Sequence, residues 1–438
     1  MKSSFYNLFV KADNNEYILY NTLSGAAFIV DEQVKTLFEK KDKLRADDFD
    51  KNDFKSFKNE GVIIDDSVDE KKIVKVKNGQ NKFQSRYFKF VVIPTYQCNL
   101  VCPYCYVERD EITGKKMSNE TLNATIKFIK KTVKNNDGKE LSLTLFGGEP
   151  LMNQNSCYKL LEALILWCKK EKILFHPRIY TNGTLITKDV IEKFKKYSMS
   201  FIQITLAGTK NIHDSKRTHK DKTGSYEETI KAVKLTFENN LPLVVAINVD
   251  NDNFSHMDEL LDDLVKRGLK GVRIMFTPIY SMPHSCAGYS PHCLTINEWG
   301  EILPELQKMA INKGFNVPIK PYIEPFFCWA SVKNSYVVDP YGDLYKCTSL
   351  LEKKYKIGSI DKNGDIKFLE FPYYDIMSRD PLSIKACNDC KLLPICGGGC
   401  AALACFEHKT FHRENCTRVR PGFEKKIKII FEKELLKK

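Results

Sequence analysis

The stretch IPTYQCNLVCPYCYVERD, residues 93–110, follows an apolar run that reads as a β-strand and sets three thiols, Cys98, Cys102 and Cys105, within eight residues. A structural zinc site takes four protein ligands, and an iron–sulfur cluster is also held by thiolates, usually four. A tight trio with no fourth member suggests a cluster in which one iron is left for something else.

Totals bound the alternatives. At 438 residues the chain predicts two or three domains, and a hydrophobic fraction of 43% with 28% charged residues is that of a globular chain. The sequence shows no apolar run of membrane-spanning length and no signal-like N-terminus, so a cytoplasmic protein is expected. A reducing compartment disfavours structural disulfides, so the 15 cysteines read first as metal ligands. Three lie at 98–105 and eight between Cys328 and Cys416, while Cys157 and Cys168 share an apolar helical face and read as core. The net charge of +13 is spread along the chain without a dense basic block. Nucleic acid is therefore not the expected partner, although a zinc-ribbon nucleic-acid binder is the competing class.

Along the chain, residues 5–35 give short strands and a helical start, FKSFKNEGVIIDD adds a helix and a strand, and the basic stretch VDEKKIVKVKNGQNK reads as a linker. A boundary is placed near residue 80. From residue 88 strands alternate with helices: Lys89–Pro94, Leu141–Phe146, Arg178–Thr181, Ser200–Leu206, Leu243–Val249 and Val272–Thr277. Ser255 with Asp258, and Thr295 with Glu298, look like N-cap and N3 partners. Six strand–helix repeats imply a parallel sheet, barrel-like or doubly wound, with its site at the carboxyl ends of the strands. From about residue 315 short strands, turns and cysteines take over, with a hairpin in SYVVDPYGDLYKC.

Cys98-x3-Cys102-x2-Cys105 after a strand resembles the signature of radical S-adenosylmethionine (SAM) enzymes. Their [4Fe–4S] cluster has three protein ligands, and SAM chelates the open iron. The resemblance extends to LFGGEP, whose Gly147, Gly148, Glu149 and Pro150 match the motif that binds the SAM amino group. Tyr104 matches the aromatic position at adenine, and Asn182, Thr205 and Arg217 match positions near the ribose and carboxylate. Ala207 departs from the family's usual Asp, and His213 with Asp214 reads as a structural turn pair.

The C-terminal cysteines resemble the SPASM extension and imply two auxiliary [4Fe–4S] clusters, three in all with the first. By that resemblance Cys328, Cys347 and Cys400 hold one, and Cys387, Cys390, Cys396 and Cys416 the other. Anaerobic sulfatase maturases carry a further cysteine soon after the first of this set and an Asp where this chain has Thr348, which disfavours that activity. The first auxiliary set is thus one ligand short. Cys405, or Cys286 or Cys293, completes it, or an iron stays open for a substrate thiolate.

The fold implied is a partial (β/α)6 radical SAM barrel at 81–314. It lies between a winged-helix-like leader-recognition domain at 1–80 and a SPASM domain with a terminal helix at 315–438. The function implied is modification of a ribosomal precursor peptide by 5′-deoxyadenosyl-radical chemistry, with flavodoxin or ferredoxin as reductant. A cysteine thioether is the first expectation, and a carbon–carbon cross-link (Lys–Trp, for example) or an epimerisation the alternative.

Overall fold

The computed structural model describes residues 1–12, 15–107, 114–280, 286–318, 328–417 and 419–435. Six parallel strands, Tyr87–Val92, Glu140–Leu145, Leu174–Thr181, Phe201–Leu206, Leu243–Val249 and Arg273–Pro278, lie side by side in chain order. Parallel neighbours require a crossover. Here it is made by helices such as Asn119–Lys134, Gln154–Glu171 and Tyr226–Glu238. The expected partial (β/α)6 barrel is borne out.

Side chains on alternating positions divide the strands into two faces. Phe88 and Phe90, Leu141 and Leu143, Ile202 and Ile204, and Val245 and Ile247 pack against Leu122, Phe128, Leu160 and Leu164 of the helices in the main core. The opposite face carries polar residues in the later strands, Gln203 and Thr205 among them, and these are only half-buried. Cys157 and Cys168 are fully enclosed in the apolar core, as their helical spacing implied.

Helix starts follow local chemistry. Ser118 accepts the N–H of Thr121, and Thr295 forms the expected capping box with Glu298. Ser255 does not cap: a 3-10 turn, Phe254–His256, precedes Met257–Lys266, and Asn253 holds that corner by accepting the Asp250 N–H.

The first barrel strand has a second neighbour. Ser335–Val338 pairs parallel with it, with Val338 opposite Val92. Asp343–Tyr345, Gly358–Ile360 and Ile366–Phe368 continue antiparallel, making one ten-stranded sheet. The expected hairpin is thus welded to the barrel, and Asp339 accepts the N–H groups of Tyr341 and Asp343 in its turn.

At the N-terminus three antiparallel strands, Asn7–Lys11, Tyr17–Asn21 and Ala27–Val30, sit with helices Glu32–Lys40 and Lys51–Asn59. The stretch expected to be a linker is instead the helix Glu70–Phe83, which runs through the boundary drawn near residue 80. Asp69 caps it by accepting the Lys72 N–H, and the buried Glu70 carboxylate accepts from Ser4 and the Phe5 N–H. Tertiary partners therefore stabilise a helix whose own composition is mostly polar. The N-terminal unit packs on the C-terminal region: Val10, Ile18 and Tyr20 share an apolar cluster with Ile395, Phe423 and Ile427. No helix among the described residues is long and apolar enough to cross a membrane.

Candidate active site

The cysteine loop leaves the first barrel strand and is held by the turn after the second. The N–H of Gly148 donates to the Thr95 carbonyl at 3.1 Å, and that of Glu149 to the Gln97 carbonyl at 2.8 Å. A Cβ on Gly147 would stand 2.4 Å from Thr95 O, and one on Gly148 2.3 Å from Gln97 O. Gly147 also has φ 139°, a conformation that favours glycine. Thus the glycine pair is required by the approach of the cysteine loop itself.

Above this junction lies a cavity of about 380 Å³ at the carboxyl ends of the strands. Cys98, Cys102, Cys105, Tyr104, Gly147, Gly148, Asn182, Thr205 and Arg217 all line it. Burial pushes the Cys98 thiol up to about 12, reinforced by Glu149 and the other two cysteines, while the Leu100 N–H opposes the shift. Cys98 is therefore held as the neutral thiol until something stabilises its thiolate. Asn182 donates to Asn99 at 2.9 Å and lies 3.8 Å from Cys98 Sγ.

Arg217 is buried and hydrogen-bonds the Tyr104 hydroxyl at 3.3 Å, while its Nε–H has no partner among the described residues. It forms no ion pair with a described carboxylate. A buried guanidinium in this state favours an anion in the cavity it lines. With three thiols, a close-approaching glycine backbone and a cation without an ion-pair partner on one wall, the donor set fits a three-thiolate cluster with a carboxylate-bearing chelate such as SAM.

Glu149 and Pro150 do not face the cavity. Glu149 is fully buried, and its carboxylate accepts from the N–H groups of Leu151 and Asn182 and from the Thr181 hydroxyl. Burial raises its pKa while these bonds oppose the rise. Through these bonds it ties the ends of the second and third strands. Pro150 opens the buried 3-10 turn that follows.

The turn at Ala207, which lacks the family's Asp, is held otherwise. The Ala207 N–H donates to His213 Nδ1 at 3.3 Å, and Asn253 donates to the Ala207 carbonyl at 3.0 Å. His213 lies buried against Ser225, which donates to the Arg217 carbonyl, and its pKa is held well below the usual value, mainly by burial. His213 is therefore structural, and it helps seat Arg217.

Sequence reasoning missed Gln203, Asn248 and Thr277, which also line the cavity, as does Thr348, noted in the sequence only for the Asp it replaces. Thr277 donates to Asn248 at 2.8 Å. The available signal was a polar residue at an inward position of an otherwise apolar strand.

The C-terminal cysteines gather in two places. Cys328, Cys347 and Cys400 share a small apolar cluster with Cys405, Leu350 and Met377. Lys346 ties two of its arms, donating to the Val332 and Ser335 carbonyls at 2.6 Å each. The Cys387 thiol is pushed up to about 12 by burial and then by Cys396, Cys416 and Cys390. Those three therefore stand close enough to Cys387 to oppose its ionisation, as members of one cluster-ligand set would. Cys286 and Cys293 pack beside Tyr104 and Cys102, not with the Cys328 group. Of the proposed completing ligands, only Cys405 lies with that group, its Sγ 3.5 Å from the Tyr355 hydroxyl.

Residues 92–264 match the Radical SAM superfamily. The serine-type anaerobic sulfatase-maturating enzyme of Klebsiella aerogenes is 23% identical over 70% of this chain and 77% of its own length. The radical SAM cyclopropyl synthase TigE of Paramaledivibacter caminithermalis is 24% identical over 89% of this chain and 87% of its own. Streptococcus suis SuiB, solved with its precursor peptide SuiA, superposes with a TM-score of 0.54 at 17% identity, over 94% of this chain and 98% of SuiB.

Proposed function

We propose that this chain is a radical SAM enzyme with a SPASM-type C-terminal domain and that it modifies a ribosomally made precursor peptide, most readily by joining a cysteine to a carbon. The observation that carries the reading is the convergence of Cys98, Cys102, Cys105, the glycine pair and Arg217, whose Nε–H has no partner among the described residues, on one cavity.

Cys98, Cys102 and Cys105 would hold a [4Fe–4S] cluster, and Arg217, Tyr104, Asn182, Thr205 and the Gly147–Gly148 backbone would seat SAM against it. When bound, these groups supply the 5′-deoxyadenosyl radical that takes hydrogen from the substrate. This chain's residues bind and orient. Arg217 offers its fork to a carboxylate, and the apolar wall of Tyr106, Val107 and Phe146 keeps water from the reacting atoms. Thr348, on the same wall and next to Cys347, marks where the substrate peptide would lie between the first site and the Cys328 group.

Two auxiliary clusters would be held by Cys328, Cys347 and Cys400, and by Cys387, Cys390, Cys396 and Cys416. A peptide cysteine would serve as the fourth thiolate of the first set if Cys405 does not. The likeness to TigE over nearly the full chain favours a second reading, carbon–carbon bond formation. The N-terminal unit would bind the leader as an added strand, with flavodoxin or ferredoxin delivering electrons.

The test is anaerobic reconstitution followed by iron and sulfide analysis, then dithionite and SAM. About eight to twelve irons, with 5′-deoxyadenosine formation that disappears in Cys102→Ala, are expected. Mass spectrometry of a cysteine-bearing precursor peptide would then show loss of two hydrogens per cross-link. Zinc without SAM cleavage would overturn the reading.

A further inference from the structure

Arg379 is the largest fully buried side chain among the described residues, at 2% exposure, yet it forms no ion pair with a described carboxylate. Its Nη1 donates to the Phe411 and Arg413 carbonyls and its Nη2 to the Gly398 carbonyl. Gly398 lies in the turn that joins Cys396 to Cys400, and the 411–413 loop leads to Cys416. A Cβ on Gly398 would come within 3.2 Å of Nη2. The guanidinium thus grips the chain between a cysteine of one auxiliary set and a cysteine of the other.

Two donors there lack acceptors. Arg379 Nε–H and the Ser331 hydroxyl are both buried without a hydrogen-bond partner among the described residues. Both residues line one small cavity together with Cys328 and Gly397. Burial draws the arginine's pKa down, and Cys328, Cys387, Cys400 and Cys396 act against that pull. An uncompensated cation at this depth is costly. The groups that act most strongly on it with negative charge are the cysteine sulfurs.

We infer that Arg379 is the counter-charge shared by the two auxiliary clusters, donating its Nε–H to sulfur and raising their reduction potentials. The inference rests on the cluster reading proposed above. A four-thiolate [4Fe–4S] cluster carries net negative charge that grows on reduction. An adjacent fixed cation and an N–H···S bond both favour the reduced form. Arg379 is a positioning residue in this account, since it touches neither peptide nor SAM.

The experiment uses full-length, anaerobically reconstituted protein carrying Cys98→Ala, Cys102→Ala and Cys105→Ala, so that remaining iron is auxiliary. Arg379→Gln and Arg379→Lys are made in that background and in the otherwise unaltered chain. Iron and sulfide are counted, and midpoint potentials are read by EPR-monitored titration. The expected result for Arg379→Gln is auxiliary potentials shifted to more negative values, or auxiliary iron lost. Arg379→Lys should retain iron with a smaller shift, and the Cys98 cluster should keep its own potential. Wild-type potentials and iron in Arg379→Gln would overturn the inference. So would equal loss in both variants, which would assign Arg379 to packing alone. A triad-less parent without auxiliary iron would sink the cluster reading first, a result distinct from either.

Discussion

A Cβ on Gly148 would stand 2.3 Å from the carbonyl oxygen of Gln97, the residue immediately before the first cysteine of the triad. The turn after one strand and the loop after its neighbour therefore fit together only without a side chain. Gly148→Ala should displace the cysteine loop and strip iron from the triad while leaving auxiliary iron in place. Gly79→Ala is the control, since nothing lies within 4 Å of its Cβ position. It sits within the helix Glu70–Phe83 and should be neutral or stabilising by about 0.5–1 kcal/mol. Full triad iron in Gly148→Ala would refute the account of the junction.

Arg217 tests the anion site. Replacing it by Gln removes a charge-assisted bond of about 1.5–3 kcal/mol, which is roughly a tenfold to hundredfold loss of SAM affinity. Arg217→Lys should lose less. Affinity is read by equilibrium binding to protein of equal cluster content, and an unchanged constant for Arg217→Gln would remove this residue from the site.

Asp339 predicts a pH dependence. Burial, the largest cause, raises its carboxyl to about 7, against the N–H bonds from Asp343 and Tyr341 that lower it. An unfolded aspartate titrates near about 3.9. Between these values the folded chain holds a proton that the unfolded chain has released, so stability falls as pH rises from about 4 to about 7 and then levels. The change is on the order of 4 kcal/mol. Asp339→Asn keeps an acceptor for the turn and should flatten that slope in thermal unfolding between pH 5 and 8. An unaltered slope would place the titrating group elsewhere.

Cys405 decides between the two product classes. If a substrate thiolate is the missing ligand of the Cys328 set, Cys405→Ala should keep full auxiliary iron and still form the cross-link. If Cys405 is itself the ligand, the variant should lose iron and its cluster EPR signal. That outcome would favour carbon–carbon bond formation or epimerisation.

Much of the site was legible because it depends on residue type at short range. Three thiols at fixed spacing after a strand, a Gly-Gly turn after the next, and an arginine beyond the fourth strand each keep their meaning wherever the strands lie, provided these are parallel and in order. Glu149 shows the limit. A carboxylate beside a glycine pair reads as a ligand group, but only the third strand, supplying the Thr181 hydroxyl and the Asn182 N–H, turns it inward. Gln203, Asn248 and Thr277 escaped notice because a single polar residue in an apolar strand carries no motif.

The sequence by itself determined the order of strands and helices, the cysteine groups and the chemistry they suit. Hydrophobic period and ligand spacing are local properties of the chain. Tertiary structure alone decided that residues 70–83 form a helix, since its anchoring carboxylate, Glu70, is held by Ser4 and Phe5 more than sixty residues away. It alone joined Ser335–Val338 to the first barrel strand, putting Thr348 on the wall of the cysteine cavity. And it alone placed Arg379 between the two auxiliary groups, because a buried cation finds its compensation in space and not along the chain.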